Sequence, residues 1–426
     1  MVVNQACCEL SYGLDPVWEA THNGDSLSSL EILRLRVRYT TGEDGKARKH
    51  AVIYEAHEHG IQPELIDDDA IKIVRRLHQH GHPAYIVGGA VRDLLLGKAP
   101  KDFDIVTNAQ PNRIRKLFRN SRIIGKRFRL VHIFYGDKII EVSTFRSAEA
   151  EGFNNVYGSI EEDALRRDFG VNALYYCPLE HEILDFVHGF KDFKAKRIRP
   201  IIPVERIFSE DPVRMLRAVK YSVGTGFRIV LSLRMRIRRQ SKLLADCPAS
   251  RLSEEAFKIL LSGRSQSVLR DCRQYHLLEH MLPSFAESLR HGGGAAEQRF
   301  FALLEELDAQ VQSERGADRA LALAFLCADY LFRTGPYADV DTIPFKDAYQ
   351  SLKDQLKPIT PANIEVEKAL QHLLRRRKRY LKEGPSALRL KKDTVEPAEH
   401  TQAQSAPRSS GSGRRRRRRR KPEAKE

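Results

Sequence analysis

No stretch of the sequence approaches the roughly 18 consecutive apolar residues that a membrane-spanning helix requires, which argues against a chain threaded through a bilayer. The opening MVVNQACCEL lacks both the basic segment and the long apolar segment of a secretory leader. Cysteine is scarce. Cys7, Cys8, Cys177, Cys247, Cys272 and Cys327 show no C-x-x-C spacing and no disulfide-scaffold density, so free thiols are expected. No internal repeat is evident, which speaks against a solenoid. These absences point to a cytoplasmic protein. What is present is length and positive charge. At 426 residues, two or three compact units are expected. Lys and Arg number 72 against 56 Asp and Glu, a formal net charge of +16, which favours a polyanionic partner, nucleic acid ahead of an anionic membrane surface.

The pattern changes along the chain. Residues 1–62 show no long periodic segment and contain the turn-like TTGEDGK, so a loosely structured extension is expected there. Over 63–195 helical and strand-like stretches alternate: IDDDAIKIVRRLHQHG helical, AYIV extended, AVRDLLLG helical, FDIV extended. RLVHIFYGDKIIEVSTF reads as a hairpin turning at Gly136 and Asp137. Beyond 195 the helical period dominates, without a convincing strand, through 196–265 and 266–382. From 383 to 426 the chain is rich in Pro, Ser, Gln and Lys and is expected to be disordered. Its last 14 residues carry seven Arg and two Lys against two Glu, +7 of the surplus. The fold class is α+β: a mixed α/β unit, then helices, then a basic tail.

The chemistry is concentrated in Ile86 to Val106, IVGGAVRDLLLGKAPKDFDIV. A strand ends at Val87, Gly88 and Gly89 follow, and a helix opens. Glycines admit a close backbone approach, and amides at a helix start favour an anion such as a triphosphate, with Arg92 adding a charged fork; a plain tight turn is the alternative. In KDFDIV, Asp102 and Asp104 sit two apart on a strand and project from one face. They are either two acids on a solvated strand edge or a pair holding Mg²⁺ for phosphoryl transfer.

GGAVRD followed by DFD resembles the class II nucleotidyltransferases, the family of bacterial poly(A) polymerases and CCA-adding tRNA enzymes. RRDFGVNAL, with Arg166, Arg167, Asp168 and Asn172, resembles a second family block. EDPVRMLRAVKY, with Glu210, Asp211, Arg214 and Arg217, resembles a third, and RLSEEAFKILLSG the helix after it. The resemblance spans about Leu65 to Leu282, in the family's order. It implies a polymerase-β-like head over 63–195, a base-recognition and RNA-binding neck over 196–265 and a helical body over 266–382. It further implies that Asp102 and Asp104 bind the metals, with Asp168 as a further active-site carboxylate. Gly88, Gly89, Arg92 and Arg167 would meet the nucleotide, and Asp211 and Arg214 would read the base, with Arg217 on the same helix face.

Alternatives stay open at several of these positions. Asp168, flanked by arginines, could be a structural salt bridge, and Glu141 could replace it as third carboxylate. Asp211 also suits the N-cap of the next helix. Gly170 and Val171 depart from the family's usual Thr-Ile, and Gly170 is expected to loosen the chain beside Asp168. Asp67, Asp68 and Asp69 look like a metal cluster but open a helix, where acids complement the dipole. His276 and His280 are four apart without the H-E-x-x-H pattern, and His78, His80 and His82 surround a helix end.

IIGKRFRLVH, Ile123 to His132, resembles a block associated with bacterial poly(A) polymerases, although Phe134 stands where a polar residue is usual. With the basic tail, it favours AMP addition from ATP to RNA 3′ ends over CCA or A addition to tRNA, with RNA-degradation proteins as further partners. Outside catalysis, the competing reading is an RNA-binding protein on a decayed transferase fold.

Overall fold

A computed structural model describes residues 36–41, 47–125, 129–147, 157–338 and 340–390, with the backbone alone described for 36–41 and 47–50. Cys7, Cys8, the Lys126, Arg127 and Phe128 of the IIGKRFRLVH block and the basic tail from 391 lie outside these residues. Four cysteines are described, all free and buried.

Nine strands form one sheet: β1 Arg36–Thr41, β2 Ala47–Tyr54, β3 Ala84–Val87, β4 Asp104–Thr107, β5 Ser121–Ile124, β6 Leu130–Tyr135, β7 Lys138–Thr144, β8 Leu174–Cys177 and β9 Glu182–Asp185. Their spatial order is β1-β2-β9-β8-β3-β4-β7-β6-β5. Every neighbouring pair is antiparallel except β4 and β7. The loosely structured extension expected for residues 1–62 is thus corrected over 36–54, where β1 and β2 form a hairpin whose second strand pairs with β9. Its partner lies about 130 residues further on in the chain, so local periodicity carried little sign of it.

One face of the sheet packs on the helix Asp68–Gln79. That helix presents buried Ala70, Ile73, Val74 and Leu77 at helical spacing to Ile86, Ile105, Val142 and Tyr176. Asp67 caps it, accepting from Asp69 N at 2.8 Å and Ala70 N at 3.3 Å, and Lys138 at the β6–β7 turn binds Asp67 at 2.7 Å and Asp69 at 2.5 Å. Asp67 thus caps the helix, Asp67 and Asp69 pair with Lys138, and Asp68 lies in the same first turn. His78 closes the other end, its Nε2 at 3.0 Å from Ala84 N, at the start of β3.

The helices from Ile207 onward share one hydrophobic cluster running from Phe169 to Leu388, so the expected boundary at 265/266 falls inside a continuous core. The helical part is not free of strands: Arg197–Ile198 and Arg228–Ile229 form a two-residue parallel ladder. The long helix Pro283–Gln312 kinks at Gly293, where φ is 59°. The expected start of disorder at 383 is also corrected. Residues 385–388 make a 3₁₀ turn, Ala387 and Leu388 are buried, His372 Nε2 lies 2.8 Å from Leu388 O, and Leu390 N donates to Gln310 Oε1 at 2.9 Å. Among the described residues, no helix is long and apolar enough to cross a membrane.

Candidate active site

β3 ends at Val87, and Gly88 turns the chain with φ 69°, a conformation that side chains other than glycine's rarely adopt. A Cβ built on Gly88 would lie 3.8 Å from Arg167 Nη1 and 4.0 Å from Asp104 Oδ2, so this turn looks straight at the acidic site. Asp104 opens β4, level with Val87 on one side and Glu141 of β7 on the other. Alternation buries Phe103 and Ile105 and leaves Asp102 and Asp104 toward the opposite face. Asp102 itself lies just ahead of the strand rather than in it. Solvent reaches Asp104, yet protein crowds it. Its carboxyl is pushed up to about 6, by burial first, then by the charge of Glu141, with Arg167 opposing and Asp102 adding. The parallel β4–β7 pairing makes this constellation, because it sets two carboxylates from distant segments side by side.

Behind it lies a network of buried polar groups. Asp163, rather than Asp168, takes the two neighbouring arginines: Arg166 Nη2 at 2.9 Å and Arg167 Nη2 at 2.9 Å, with the Tyr175 hydroxyl at 2.8 Å. Burial works to raise the Asp163 carboxyl, but Arg167 and Arg166 outweigh it and hold it below the usual range. Asp168 is buried and fully occupied. Phe169 N at 2.8 Å and Asn172 Nδ2 at 3.2 Å bind one oxygen, and Arg217 Nε at 2.7 Å binds the other. The salt bridge envisaged for Asp168 exists, but its partner is Arg217 of the neck.

Asn172 continues the network, accepting from Arg92 Nη1 at 2.8 Å. Three cations surround the ring of Tyr221: Arg92 at 5.1 Å, Arg217 at 5.3 Å and Lys220 at 5.2 Å from its centroid. Lys220 pairs with buried Glu255. Burial lowers its pKa, with Glu255 opposing. Head and neck are thereby tied through Arg92, Asn172, Asp168 and Arg217.

At the neck, Arg214 Nη1 reaches Glu210 Oε2 at 3.0 Å and Ile207 O at 3.2 Å, with Nε 3.8 Å from Asp211. Asp211 accepts from Arg251 Nε at 2.9 Å. The N-cap role for Asp211 is corrected: Val213 occupies that position and the Asp211 carboxylate is engaged by Arg251. Arg217, though one turn from Arg214, is committed to Asp168.

Asp163, Tyr221, Glu255 and Arg251 escaped the sequence reading. Asp163 had a usable signal, lying three and four residues before Arg166 and Arg167 on one helix face. Gly170 is corrected too. It sits in a 3₁₀ turn, where a Cβ would come within 2.5 Å of Asp192 Oδ2 and 3.2 Å of Gly189 Cα. A small residue is what this packing requires, and it tightens the chain there instead of loosening it.

Residues 84–199 match the family described as the poly A polymerase head domain, and 226–289 the one described as the probable RNA and SrmB-binding site of polymerase A. Poly(A) polymerase I of Salmonella typhi is 40% identical over 299 residues, covering 66% of this chain and 64% of that protein. The chain thus spans slightly under two thirds of that relative's length. Poly(A) polymerase I of Escherichia coli O157:H7 is 36% identical over 351 residues, covering 78% and 76%. The CCA-adding enzyme of Bacillus stearothermophilus in complex with CTP superposes with a TM-score of 0.54 at 27% identity, over 72% of this chain and 69% of that one.

Proposed function

Since the chain belongs to the family of bacterial poly(A) polymerases and tRNA nucleotidyltransferases, we propose that it adds AMP from ATP to RNA 3′ ends without a template. The observation that carries this is the row of Asp104 and Glu141 in register, with Asp102 beside them, facing the Gly88–Gly89 turn and Arg167. Asp102, Asp104 and Glu141 fit Mg²⁺: the donors are hard oxygens, and both burial, the larger cause, and the charge of Glu141 raise Asp104 in a way that a bound divalent cation would offset. Mg²⁺ bound there supplies Lewis acidity toward the 3′-hydroxyl and neutralises triphosphate charge. We read Glu141 rather than Asp168 as the third carboxylate, because Glu141 is beside Asp104 and half-exposed, whereas both oxygens of Asp168 are taken.

The protein's own groups then position the reactants. Gly88 and Gly89 let the triphosphate lie against the backbone. Arg92, fixed by Asn172 and stacked on Tyr221, offers a pre-set cation to phosphates and sugar. Arg167, its other nitrogens held by Asp163, supplies charge beside Asp104. Asp211, oriented through both oxygens by Arg251, would offer its remaining lone pairs, and Arg214 a donor, to the base edge. We take RNA 3′ ends and ATP as partners, RNA-degradation proteins as users of the tailed product, and the cytoplasm as the compartment.

Labelled ATP and CTP, offered separately with Mg²⁺ to a generic oligoribonucleotide and to tRNA lacking its terminal nucleotides, test the reading. Extension of both RNAs with ATP alone is expected, with Asp104→Asn below about a tenth of wild type because a metal ligand is lost. CTP incorporation confined to the tRNA would assign CCA addition instead. No incorporation from either nucleotide would leave only an RNA-binding protein.

A further inference from the structure

The face of the sheet that carries Asp104 and Glu141 continues beyond them. Strand register sets Asp104 beside Glu141, Glu141 beside His132 and His132 beside Arg122, so one row of side chains crosses β4, β7, β6 and β5 to the sheet edge. At the usual interstrand spacing the row is roughly 14 Å long. His132 Nε2 lies 3.2 Å from Glu141 Oε1, and Arg122 is exposed at the far end. The neighbouring row is apolar. Phe134 and Ile139 pair across β6 and β7 and are 36% and 44% exposed, with Phe134 edge-on to the His132 ring at 6.3 Å. Val131, Ile133, Ile140 and Val142 on the opposite face are all buried. The hydrophobic demand of these strands is therefore met on that other side, and Phe134 and Ile139 face water beside the carboxylates.

We propose that this strip, Phe134 and Ile139 flanked by His132 and Arg122, receives the last nucleotides of the RNA 3′ end, a base stacking on Phe134 and backbone phosphate meeting Arg122. The proposal rests on the reading that the chain extends RNA. It names the side from which the primer arrives: the outer edge of the sheet, across the carboxylates from Gly88, Arg92 and Arg167. Charge is complementary along the strip, cationic at its far end and acidic only where metal would be held. The occupant is a single strand, because a duplex keeps its base faces stacked inside and offers Phe134 nothing. Stacking on an aromatic accepts any base, which suits a broad range of RNAs.

Wild type, Phe134→Ala and Phe134→Trp are compared on a labelled oligoadenylate primer with ATP and Mg²⁺. Phe134→Ala is expected to raise the apparent KM for primer about five- to 150-fold, the loss of one stacked base, with KM for ATP moving less than about two-fold. Phe134→Trp should restore primer KM to near wild type. An unchanged primer KM in Phe134→Ala overturns the strip while the adenylation reading stands, since wild type extends primer in the same assay. Should wild type extend nothing, that reading falls, and anisotropy titration of the same primer decides on the strip: equal affinity for wild type and Phe134→Ala overturns it. If Phe134→Ala fails to fold, Arg122→Gln on the exposed edge asks the same question. Its slope of log K against log salt should flatten by roughly 0.7, and an unchanged slope rejects the proposal.

Discussion

Asp168 and Glu141 illustrate how differently two carboxylates of one chain can be employed. Asp168 is buried with both oxygens bonded, and burial, which works to raise its pKa, is outweighed by Arg217, Asn172 and Phe169 N, so the carboxyl is held below its ordinary value. A depressed carboxyl contributes stability that is present above the unfolded value near 4 and is lost as pH falls through the folded value. Asp168→Asn should therefore cost about 3 kcal/mol at pH 7, since it leaves Arg217 short of its charge partner. The deficit relative to wild type should shrink below about pH 4. Glu141→Gln should do the reverse, losing nucleotide addition with little change in stability. Urea titrations at pH 7 and pH 3, beside primer-extension rates, separate the two; an equal deficit for Asp168→Asn at both pH values would show that the charge is not its source.

The 3₁₀ turn Gly170–Asn172 and the helix Gly189–Lys194 meet backbone to backbone, since a Cβ on Gly189 would strike Gly170 O at 2.1 Å. Thr at position 170, the family's usual residue, would be driven into Asp192, which is fully buried and tied to Arg199 at 2.7 Å. Gly170→Thr is thus expected to lose about 2 kcal/mol by overpacking, a fall of several degrees in melting temperature by scanning fluorimetry; a rise would mean that the turn has slack. Packing of this kind, between segments far apart in the chain, marks the limit of what the sequence could disclose. β3, β4, the β6–β7 hairpin and the helix Asp68–Gln79 were legible because period and cap are local properties. The β1–β2 hairpin depends on pairing with distant β9, and the 385–388 turn on packing against the helix Asn363–Glu383. In the site, Asp102, Asp104 and Arg92 stood in one short motif. The partner of Asp168 lies 49 residues downstream and that of Asp211 40 residues downstream, distances over which charge pairing leaves no periodic trace.

For the molecule as a whole, the formal charge of +16 is unevenly allotted, +7 of it to Gly413–Glu426, outside the described residues and outside every motif of the site. Deleting Arg414 to Glu426 removes seven Arg and two Lys. If about half of these meet phosphates of single-stranded RNA, the slope of log K against log salt flattens by roughly 0.7 for each phosphate no longer neutralised. KM for RNA should rise at moderate salt, with turnover at saturating RNA little altered. Binding titrations over a salt series check this, and coincident slopes would make the tail a bystander. The tie from Arg92 through Asn172 and Asp168 to Arg217 and Glu255 also has a consequence for biosynthesis. At ordinary translation speeds, roughly ten to thirty seconds separate the emergence of Arg92 from that of Glu255. The nascent head can form its sheet and expose its carboxylates in that interval, but Asp168 still lacks Arg217 and Arg92 still lacks the Tyr221 ring. On the proposed function, a growing chain therefore also lacks Asp211 and Arg214, the proposed base readers, until the ribosome has delivered them.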